Sequence, residues 1–217
     1  MHDTALLAGK FFAKIYGKQS YTVVDIGGLN VNGSLRSFFE ELGMKYIVVD
    51  MEEHESVNFV IKPGDRLPFE DGSIDLVVST SCFEHDPCFW ITFKEMCRIT
   101  KQNGYIYVNA PMAGCYHGYP GDNWRFFRDA GQSLAYWSSL EYGNISSYPV
   151  KVIETFHISS KRDMWMDFVC IWQRTDVKTV EIKLSNDFLS SIGILRKELQ
   201  NNNISCEIQT ESWILKI

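Results

Sequence analysis

The 217-residue chain is 45% hydrophobic and 14% aromatic, which is enough apolar material for the core of one substantial domain with a short appendage. Its formal net charge is -6, and its 21 basic residues are scattered along the chain rather than grouped in runs. Proteins that bind nucleic acid or a membrane surface usually concentrate basic charge. The composition therefore argues against nucleic acid and membrane as partners.

The first eighteen residues, "MHDTALLAGKFFAKIYGK", hold only short apolar clusters interrupted by lysines. Such a stretch is too short and too mixed to be a membrane-spanning helix or the core of a secretory signal. Six cysteines occur without any C-x-x-C pair, which favours buried, reduced thiols over a disulfide or zinc framework. Both observations predict a cytoplasmic protein.

The first predicted elements form a β-α-β unit. The run "YTVVDI" at 21 to 26 is β-branched and precedes two glycines, as in a buried parallel strand that enters a turn. A helix is predicted next from apolar residues at helical spacing, which are Leu35, Phe38, Phe39 and Leu42. The run "YIVVD" at 46 to 50 is the second strand, and the three elements have the expected size of a parallel crossover.

The alternation of strands and helices continues along the chain. Further strands are predicted at 57 to 60, 74 to 80 and 105 to 111. Asp86 and Pro87 are suited to be the N-cap and first residue of the intervening helix, and "QNG" at 102 to 104 predicts a turn after it. Strands that alternate with helices indicate a mostly parallel α/β sheet.

The segment from 112 to 127 is rich in glycine and aromatic residues and lacks periodicity, so it is predicted to be a loop over a ligand pocket. A helix follows near 129 to 141. The runs at 150 to 159 and 164 to 173 are joined by so short a link that they must be antiparallel. In the tail, a strand at 180 to 184 and a helix over 188 to 199 are predicted to pack on the domain or on a second subunit.

The turn after the first strand points to a particular ligand. In a dinucleotide site, spaced glycines let the backbone approach a pyrophosphate. Here Gly27 and Gly28 are adjacent and Leu29 replaces the glycine that a pyrophosphate would need. A nucleoside with an amino-acid arm fits better, with Asp25 meeting an ammonium group and Asp50 meeting ribose hydroxyls. The alternative is that these glycines only shape a tight turn.

Several stretches resemble the class I S-adenosylmethionine-dependent methyltransferases, and the resemblance runs from about residue 21 to 173. "VVDIGGLNVNGSLR" resembles the first motif of a subgroup often associated with polysaccharide or secondary-metabolite gene clusters. "YIVVDME", "GDRLPFEDGSIDLVVSTSCFEH" and "FKEMCRITKQNGYIYVNAP" resemble the segments that follow it. The resemblance implies a Rossmann-like three-layer sandwich with a seven-stranded, mostly parallel sheet and an antiparallel final hairpin. Residues 1 to 175 would form this domain, and 176 to 217 a small C-terminal extension.

The resemblance also implies site residues and a cofactor, S-adenosyl-L-methionine, which would leave as S-adenosyl-L-homocysteine. The methionine arm would contact Asp25, Gly27, Gly28 and Asn30. The ribose and adenine would contact Asp50, Met51, Asp65 or Arg66, with Ser81 also at the cofactor.

Methyl transfer from a sulfonium needs an aligned acceptor and removal of its proton. His85 follows the fourth strand, and His117 with Asp122 follows the fifth, so these three are the candidate catalytic residues. Tyr119, Trp124 and Arg125 are candidates for substrate contact. The alternative for each is a structural part in bracing the loop.

Glu84 and His85, with His117, form a pattern that could bind a divalent metal and orient an acceptor hydroxyl. Some methyltransferases that act on sugar hydroxyls of RNA have a similar E-x-x-E-H arrangement. The first acid of that arrangement is Ser81 here. With this ligand missing, no metal is expected.

The sequence thus predicts a cytoplasmic methyltransferase that acts on a small-molecule or saccharide acceptor, most simply by O-methylation, with a homodimer as the candidate assembly. The acceptor class rests on analogy with the family. Two alternatives stay open: a nicotinamide-dependent oxidoreductase on a Rossmann fold, and a non-catalytic nucleoside-binding partner subunit. The first lacks both G-x-G-x-x-G and a Tyr-x-x-x-Lys pair.

Overall fold

The computed structural model describes residues 3–144, 146–159, 165–176 and 193–207. Its strands are β1 Thr22–Ile26, β2 Lys45–Asp50, β3 Phe59–Val60, β4 Ile74–Thr80, β5 Thr100–Ala113, β6 Val150–Ser159, β7 Met166–Arg174 and β8 Ser205–Glu207. Its helices are α1 Asp3–Tyr16, α2 Arg36–Glu40, α3 Phe89–Ile99, α4 Ala130–Ser139 and α5 Ile194–Asn201.

The strands form one sheet in the order β3-β2-β1-β4-β5-β7-β6-β8. Strands β1 to β5 pair in parallel, while β7 is antiparallel to β5 and to β6. The predicted Rossmann-like class with an antiparallel final hairpin is confirmed. The sheet has eight strands rather than seven because β8, from the C-terminal extension, pairs with the outer side of β6.

Two apolar cores, one on each face of the sheet, give the three layers. Helices α3 and α4 cover one face, where Val24, Val77 and Val108 are buried. Helices α1, α2 and α5 cover the other, where Val23 and Val78 are buried. Neighbouring strand residues thus point into opposite cores, as the two-residue repeat of a strand requires.

Helix α1 was not predicted from the sequence. Its buried face combines Phe11 and Phe12 with small residues, and Phe12 is fully buried. Gly9 lies so close to Leu35 that a Cβ there would be 2.4 Å from the Leu35 Cδ2 atom. The small residues therefore let α1 pack tightly beside the start of α2, but they weaken the apolar pattern by which a helix is recognised.

Three predicted boundaries differ from the structure. Helix α3 begins at Phe89, after Cys88, and not at Pro87, because the Asp86 Oδ1 atom accepts a hydrogen bond from the Cys88 amide (2.8 Å) in a turn before the helix. The "QNG" segment lies inside β5, where the pairing shifts and leaves residues 101–104 as a bulge, with Asn103 at φ 64°. Helix α2 is shorter than predicted and leaves Leu42 exposed.

The described part of the C-terminal extension packs on the domain. Leu195 and Leu199 are fully buried against the α1 face, as their helical spacing predicted, and the chain turns after Asn201. The strand predicted at 180 to 184 lies outside the described residues, and the boundary at 175 stays a prediction. None of the helices in the described ranges is long and apolar enough to cross a bilayer.

Candidate active site

A cavity of about 420 Å³ opens where β1, β2 and β4 end and where the loop after β5 begins. The chain winds one way from β1 to β2 and the other way from β4 to β5, so the two halves diverge between β1 and β4. Open α/β sheets bind ligands in the crevice at this switch point, and the volume is within the range of small-molecule sites.

The glycine turn forms the floor of the cavity. Gly27 has φ +71°, and a Cβ on it would lie 2.3 Å from the Cys82 Sγ atom. A Cβ on Gly28 would lie 2.5 Å from the Asp25 Oδ2 atom. Both predicted glycines line the cavity, and both are required by close approach as well as by the turn.

Asp25 is almost completely buried beside this turn, and its Oδ2 atom accepts a hydrogen bond of 2.6 Å from the Tyr46 hydroxyl. Burial, with a smaller contribution from the nearby Asp50 carboxylate, raises the pKa of the Asp25 carboxyl to about 7 against the opposing effect of the Tyr46 hydrogen bond. The carboxyl therefore changes charge near neutral pH.

Asp50 ends β2 on the same side of the cavity. Its Oδ2 atom accepts a hydrogen bond from the Leu29 amide (3.0 Å), and its Oδ1 atom accepts one from the Glu52 amide (3.1 Å). Each oxygen keeps a second lone pair for a ligand hydroxyl. Met51 also lines the cavity and is half exposed, and Ser81 lines it with φ +51°.

Three predicted cofactor residues, Asn30, Asp65 and Arg66, lie outside the cavity wall. Asn30 is exposed, and its Oδ1 atom accepts the Gly33 amide (3.0 Å). Asp65 accepts the Lys62 amide (2.9 Å), and Arg66 pairs with Asp71 (3.4 Å) in solvent. All three side chains are used in local surface turns. The cavity is lined instead by residues that the sequence did not indicate, which are Asn32, Ile61, Lys62 and Pro63.

Histidines line the other side of the cavity. His85 follows β4 and His117 follows β5, and their ring centroids are 4.9 Å apart with the rings nearly perpendicular. The Glu84 Oε1 atom is 3.6 Å from His85 Nε2 and 3.7 Å from His117 Nε2. The Glu84 carboxylate beside the ring raises the pKa of His117 from its usual value. The structure thus brings together two of the predicted catalytic residues.

Asp122, the third, lies behind His117 rather than at the cavity wall. Its Oδ2 atom accepts the His117 amide (2.9 Å) and is 3.3 Å from His117 Nδ1. Arg125 binds both carboxylate oxygens, at 2.5 and 2.7 Å, and holds the pKa of Asp122 well below its usual value. Asp122 is therefore an ionised group that can orient the His117 ring.

Of the three predicted substrate contacts, only Tyr119 lines the cavity. Its hydroxyl donates to Glu52 (3.1 Å). The Trp124 indole N–H donates to the Asp86 carbonyl (2.9 Å), and Arg125 is occupied by Asp122. The alternative of a structural role therefore describes Trp124 and Arg125, because both fasten the loop.

Trp165 is a cavity residue that sequence reasoning missed. Its ring centroid is 4.8 Å from that of His117, and it packs so closely on Gly114 that a Cβ there would lie 2.0 Å from the Trp165 ring. Trp165 comes just before β7, far along the chain from the other lining residues. No local pattern marks Trp165 as a cavity residue. The only related signal in the sequence is Gly114, whose missing side chain leaves room for the Trp165 ring.

Comparison with known proteins finds methyltransferases that part of this chain resembles. A family described as "Methyltransferase domain" matches residues 24–108, which include the glycine turn, Asp50 and His85. Uncharacterized methyltransferases from Mycobacterium sp. (strain KMS) and Mycobacterium tuberculosis (strain ATCC 25618 / H37Rv) are 34% identical over 92 residues and 30% identical over 120 residues. Residues 24–108 are therefore similar to a methyltransferase domain. The matches cover 38% and 49% of this chain and span 36% and 46% of the two relatives, which is less than half of their length.

Solved structures extend the likeness to the fold. A 1,6-didemethyltoxoflavin-N1-methyltransferase from Burkholderia thailandensis, with bound S-adenosylhomocysteine, has a TM-score of 0.61 and 15% identity, over 80% of each chain. A putative methyltransferase in complex with the Haloferax volcanii Trm112 activator has a TM-score of 0.56 and 16% identity, over 81% of this chain and 91% of that one. The [4+2]-cyclase SpnF also shares the fold, with a TM-score of 0.58 and 10% identity over 77% and 79%. The fold alone therefore does not define the reaction.

Proposed function

We propose that the protein transfers a methyl group from S-adenosyl-L-methionine to an oxygen of a small-molecule or saccharide acceptor. The observation that carries the proposal is the division of the cavity: the glycine turn with Asp25 and Asp50 lines the β1 and β2 side, and His85 and His117 line the β4 and β5 side. One side suits a nucleoside with an amino-acid arm. The other suits a hydroxyl that must lose a proton.

The residues present fit the cofactor. The glycine turn leaves room where a Cβ would meet Asp25, and the two acidic side chains offer acceptors for an ammonium group and for ribose hydroxyls. Thr80 also lines the cavity, and its buried hydroxyl has no hydrogen-bond partner within the described ranges. A buried hydroxyl normally has a partner, so a ligand is expected there. When bound, S-adenosyl-L-methionine supplies an already activated methyl group.

The chain's own contribution is then to hold the acceptor and to manage its proton. Tyr119 and Trp165 form aromatic parts of the cavity wall beside His117, which suits the apolar face of a sugar or a flat metabolite. Asp122 orients the His117 ring through Nδ1, which leaves Nε2 on the side of Glu84. We also place the protein in the cytoplasm, since Cys97 and Cys170 are buried thiols, as expected in a reducing compartment. The homodimer stays a prediction.

The experiment measures binding and transfer together. Purified protein is titrated calorimetrically with S-adenosyl-L-homocysteine and, in parallel, with nicotinamide dinucleotides. It is then incubated with methyl-labelled S-adenosyl-L-methionine and a panel of hydroxylated metabolites and saccharides. We expect the protein to bind S-adenosyl-L-homocysteine and to transfer the labelled methyl group to a hydroxylated acceptor. Asp50→Asn should weaken binding by about tenfold or more, because a hydrogen bond to a charged group is lost.

Asp65→Asn is the matched control, since Asp65 is an exposed acid outside the cavity, and it should bind as the parent does. Preferential binding of a nicotinamide dinucleotide would overturn the cofactor assignment. Intact cofactor binding without transfer to any acceptor would favour the non-catalytic partner subunit. A labelled methyl group on a nitrogen atom would contradict O-methylation, but it would leave the methyltransferase assignment standing.

A further inference from the structure

We propose that Glu84, His85 and His117 bind a divalent transition-metal ion at the cavity wall. Each offers one ligand atom, and the three ligand atoms lie within 4.8 Å of one another. The Glu84 Oε1 atom is 3.6 and 3.7 Å from the two Nε2 atoms. Two ligands that each lie about 2.1 Å from one ion in tetrahedral geometry are about 3.4 Å apart. Shifts of a few tenths of an ångström would bring both of these pairs to that spacing, and the ligand atoms of the two histidines already lie within 4.8 Å of each other.

Glu84 provides the second, independent observation. Its side chain is only 1% exposed, and within the described part of the chain neither carboxylate oxygen accepts a hydrogen bond. A buried carboxylate without hydrogen bonds is costly, so native proteins give it a partner. The nearest charged candidates are the two imidazoles, which are beyond hydrogen-bond distance. An ion between them would satisfy the carboxylate.

The Nδ1 atom of each imidazole, on the side away from Glu84, has oxygen partners of the kind found in metal sites. His85 Nδ1 is hydrogen bonded to the Gly121 carbonyl. His117 Nδ1 is 3.3 Å from the Cys115 carbonyl and 3.3 Å from Asp122 Oδ2. Carbonyl and carboxylate oxygens only accept, so Nδ1 is the donor in both rings, and in a neutral imidazole Nε2 then keeps its lone pair. Metal-binding histidines are held by such outer partners.

The same contacts are less well explained by a simple ion pair. A protonated imidazole would direct an Nε2–H at Glu84 within hydrogen-bond distance, yet both separations exceed that distance by a similar amount. Two imidazolium rings would also repel each other at a centroid separation of 4.9 Å. Equal spacing around one carboxylate oxygen is what a shared ion produces.

The ligand set indicates which ion and what it does. Two imidazoles and one carboxylate suit Zn²⁺, Fe²⁺ or Co²⁺ better than Mg²⁺, which prefers oxygen. Three protein ligands leave an open position, and because both histidines line the cavity, that position faces it. A hydroxyl bound there becomes more acidic. This catalytic meaning rests on the proposed function, and His117 would then act as a ligand rather than as the base.

The test is metal binding by the full chain without an affinity tag, measured by equilibrium dialysis against Zn²⁺ and by the visible absorption of bound Co²⁺. We expect one ion per chain and much weaker binding of Mg²⁺. Glu84→Gln removes the carboxylate charge at nearly constant size. It should weaken Co²⁺ binding by more than the roughly 10- to 100-fold loss caused by altering an outer-shell partner. Asp122→Asn alters such a partner and should give a loss in that range.

His54→Ala is the matched histidine control, because His54 is exposed and its ring bonds to Ser56 away from the cavity wall, and the variant should bind Co²⁺ as the parent does. Cys115→Ser tests whether the exposed Cys115 thiol binds the metal ion instead of the proposed site. Absence of Zn²⁺ and Co²⁺ binding, or binding that survives Glu84→Gln, or binding lost in Cys115→Ser, would overturn the metal site. S-adenosyl-L-homocysteine titration of the same samples is read separately, so the loss of either proposal leaves the other standing.

Discussion

Asp25 and Asp50 line the same side of the cavity, yet their bonding differs. Asp50 accepts two backbone amides at the mouth of the turn, whereas Asp25 is buried and receives one phenolic hydrogen bond. Burial therefore makes the ionised form of Asp25 unfavourable and raises its pKa to about 7. Its contribution to the stability of the empty protein is present below the usual pKa and is lost as pH rises through about 7.

The affinity for S-adenosyl-L-homocysteine should therefore depend on pH. A ligand ammonium group binds the ionised carboxylate, so binding below pH 7 must release the Asp25 proton. The dissociation constant should rise as pH falls, by up to about tenfold per pH unit below the pKa. Calorimetry between pH 5.5 and 8 measures this.

Asp25→Asn should bind more weakly and with a flat profile, because the titrating group is gone. Asp65→Asn should keep the parent's slope, since that acid lies outside the cavity. An affinity that does not change between pH 5.5 and 7 would show that Asp25 does not meet the ammonium group.

At the scale of elements, one buried side chain ties the C-terminal helix to the sheet. Glu154, on β6, accepts hydrogen bonds from the Leu195 and Arg196 amides (3.0 and 3.1 Å) at the start of α5. It also accepts the Tyr16 hydroxyl (3.0 Å) at the end of α1. A carboxylate at a helix N-terminus satisfies amides that lack partners within the helix and complements its dipole. Gly193 allows the approach, since a Cβ there would meet the Glu154 carboxylate.

Glu154→Ala should release α5 from the sheet. Buried donors that lose their acceptor cost about 1–3 kcal/mol, so the free energy of unfolding should fall by about that amount. Amide exchange in residues 194–201 should speed up more than exchange in β1. Lys151→Ala, an exposed change on the same strand, should alter stability by less than about 0.5 kcal/mol. Unchanged exchange in α5 would contradict the anchoring role.

At the scale of the whole molecule, stability depends on covering both faces of one sheet. Phe12 joins layers on the α1 face, with its ring centroid 4.8 Å from that of Tyr107 on β5 and 6.4 Å from that of Phe39 on α2. On the other face, the ring of Trp172 on β7 packs against the ring of Phe93 on α3. Both side chains are fully buried. Each face thus contributes an aromatic contact that links helix to strand.

Phe12→Ala should lower the free energy of unfolding by about 3–5 kcal/mol, because it removes a large buried side chain and leaves a cavity. Chemical denaturation followed by tryptophan fluorescence measures the change. Phe127→Ala is the control: Phe127 is 57% exposed, so its removal should change stability by less than about 0.5 kcal/mol. Equal effects of the two changes would show that α1 adds little to the fold.

The sequence by itself determined the central strands, the glycine turn and the antiparallel hairpin. These features are local: a buried parallel strand is a continuous apolar run, a close turn needs glycine, and a short link allows only antiparallel pairing. The sequence also placed Asp50, His85 and His117 at strand ends, and strand ends meet at one edge of the sheet whatever the loops do.

Only the tertiary structure decided how loop side chains are used. Asp65 and Arg66 bind partners at the protein surface, and Arg125 forms an ion pair with Asp122. Trp165 lines the cavity although it lies far along the chain from the other lining residues. The burial of the Glu84 carboxylate beside the two histidines, without a hydrogen bond in the described part of the chain, was likewise decided there. A side chain's direction depends on contacts between segments far apart in sequence, and short-range patterns carry no information about those contacts.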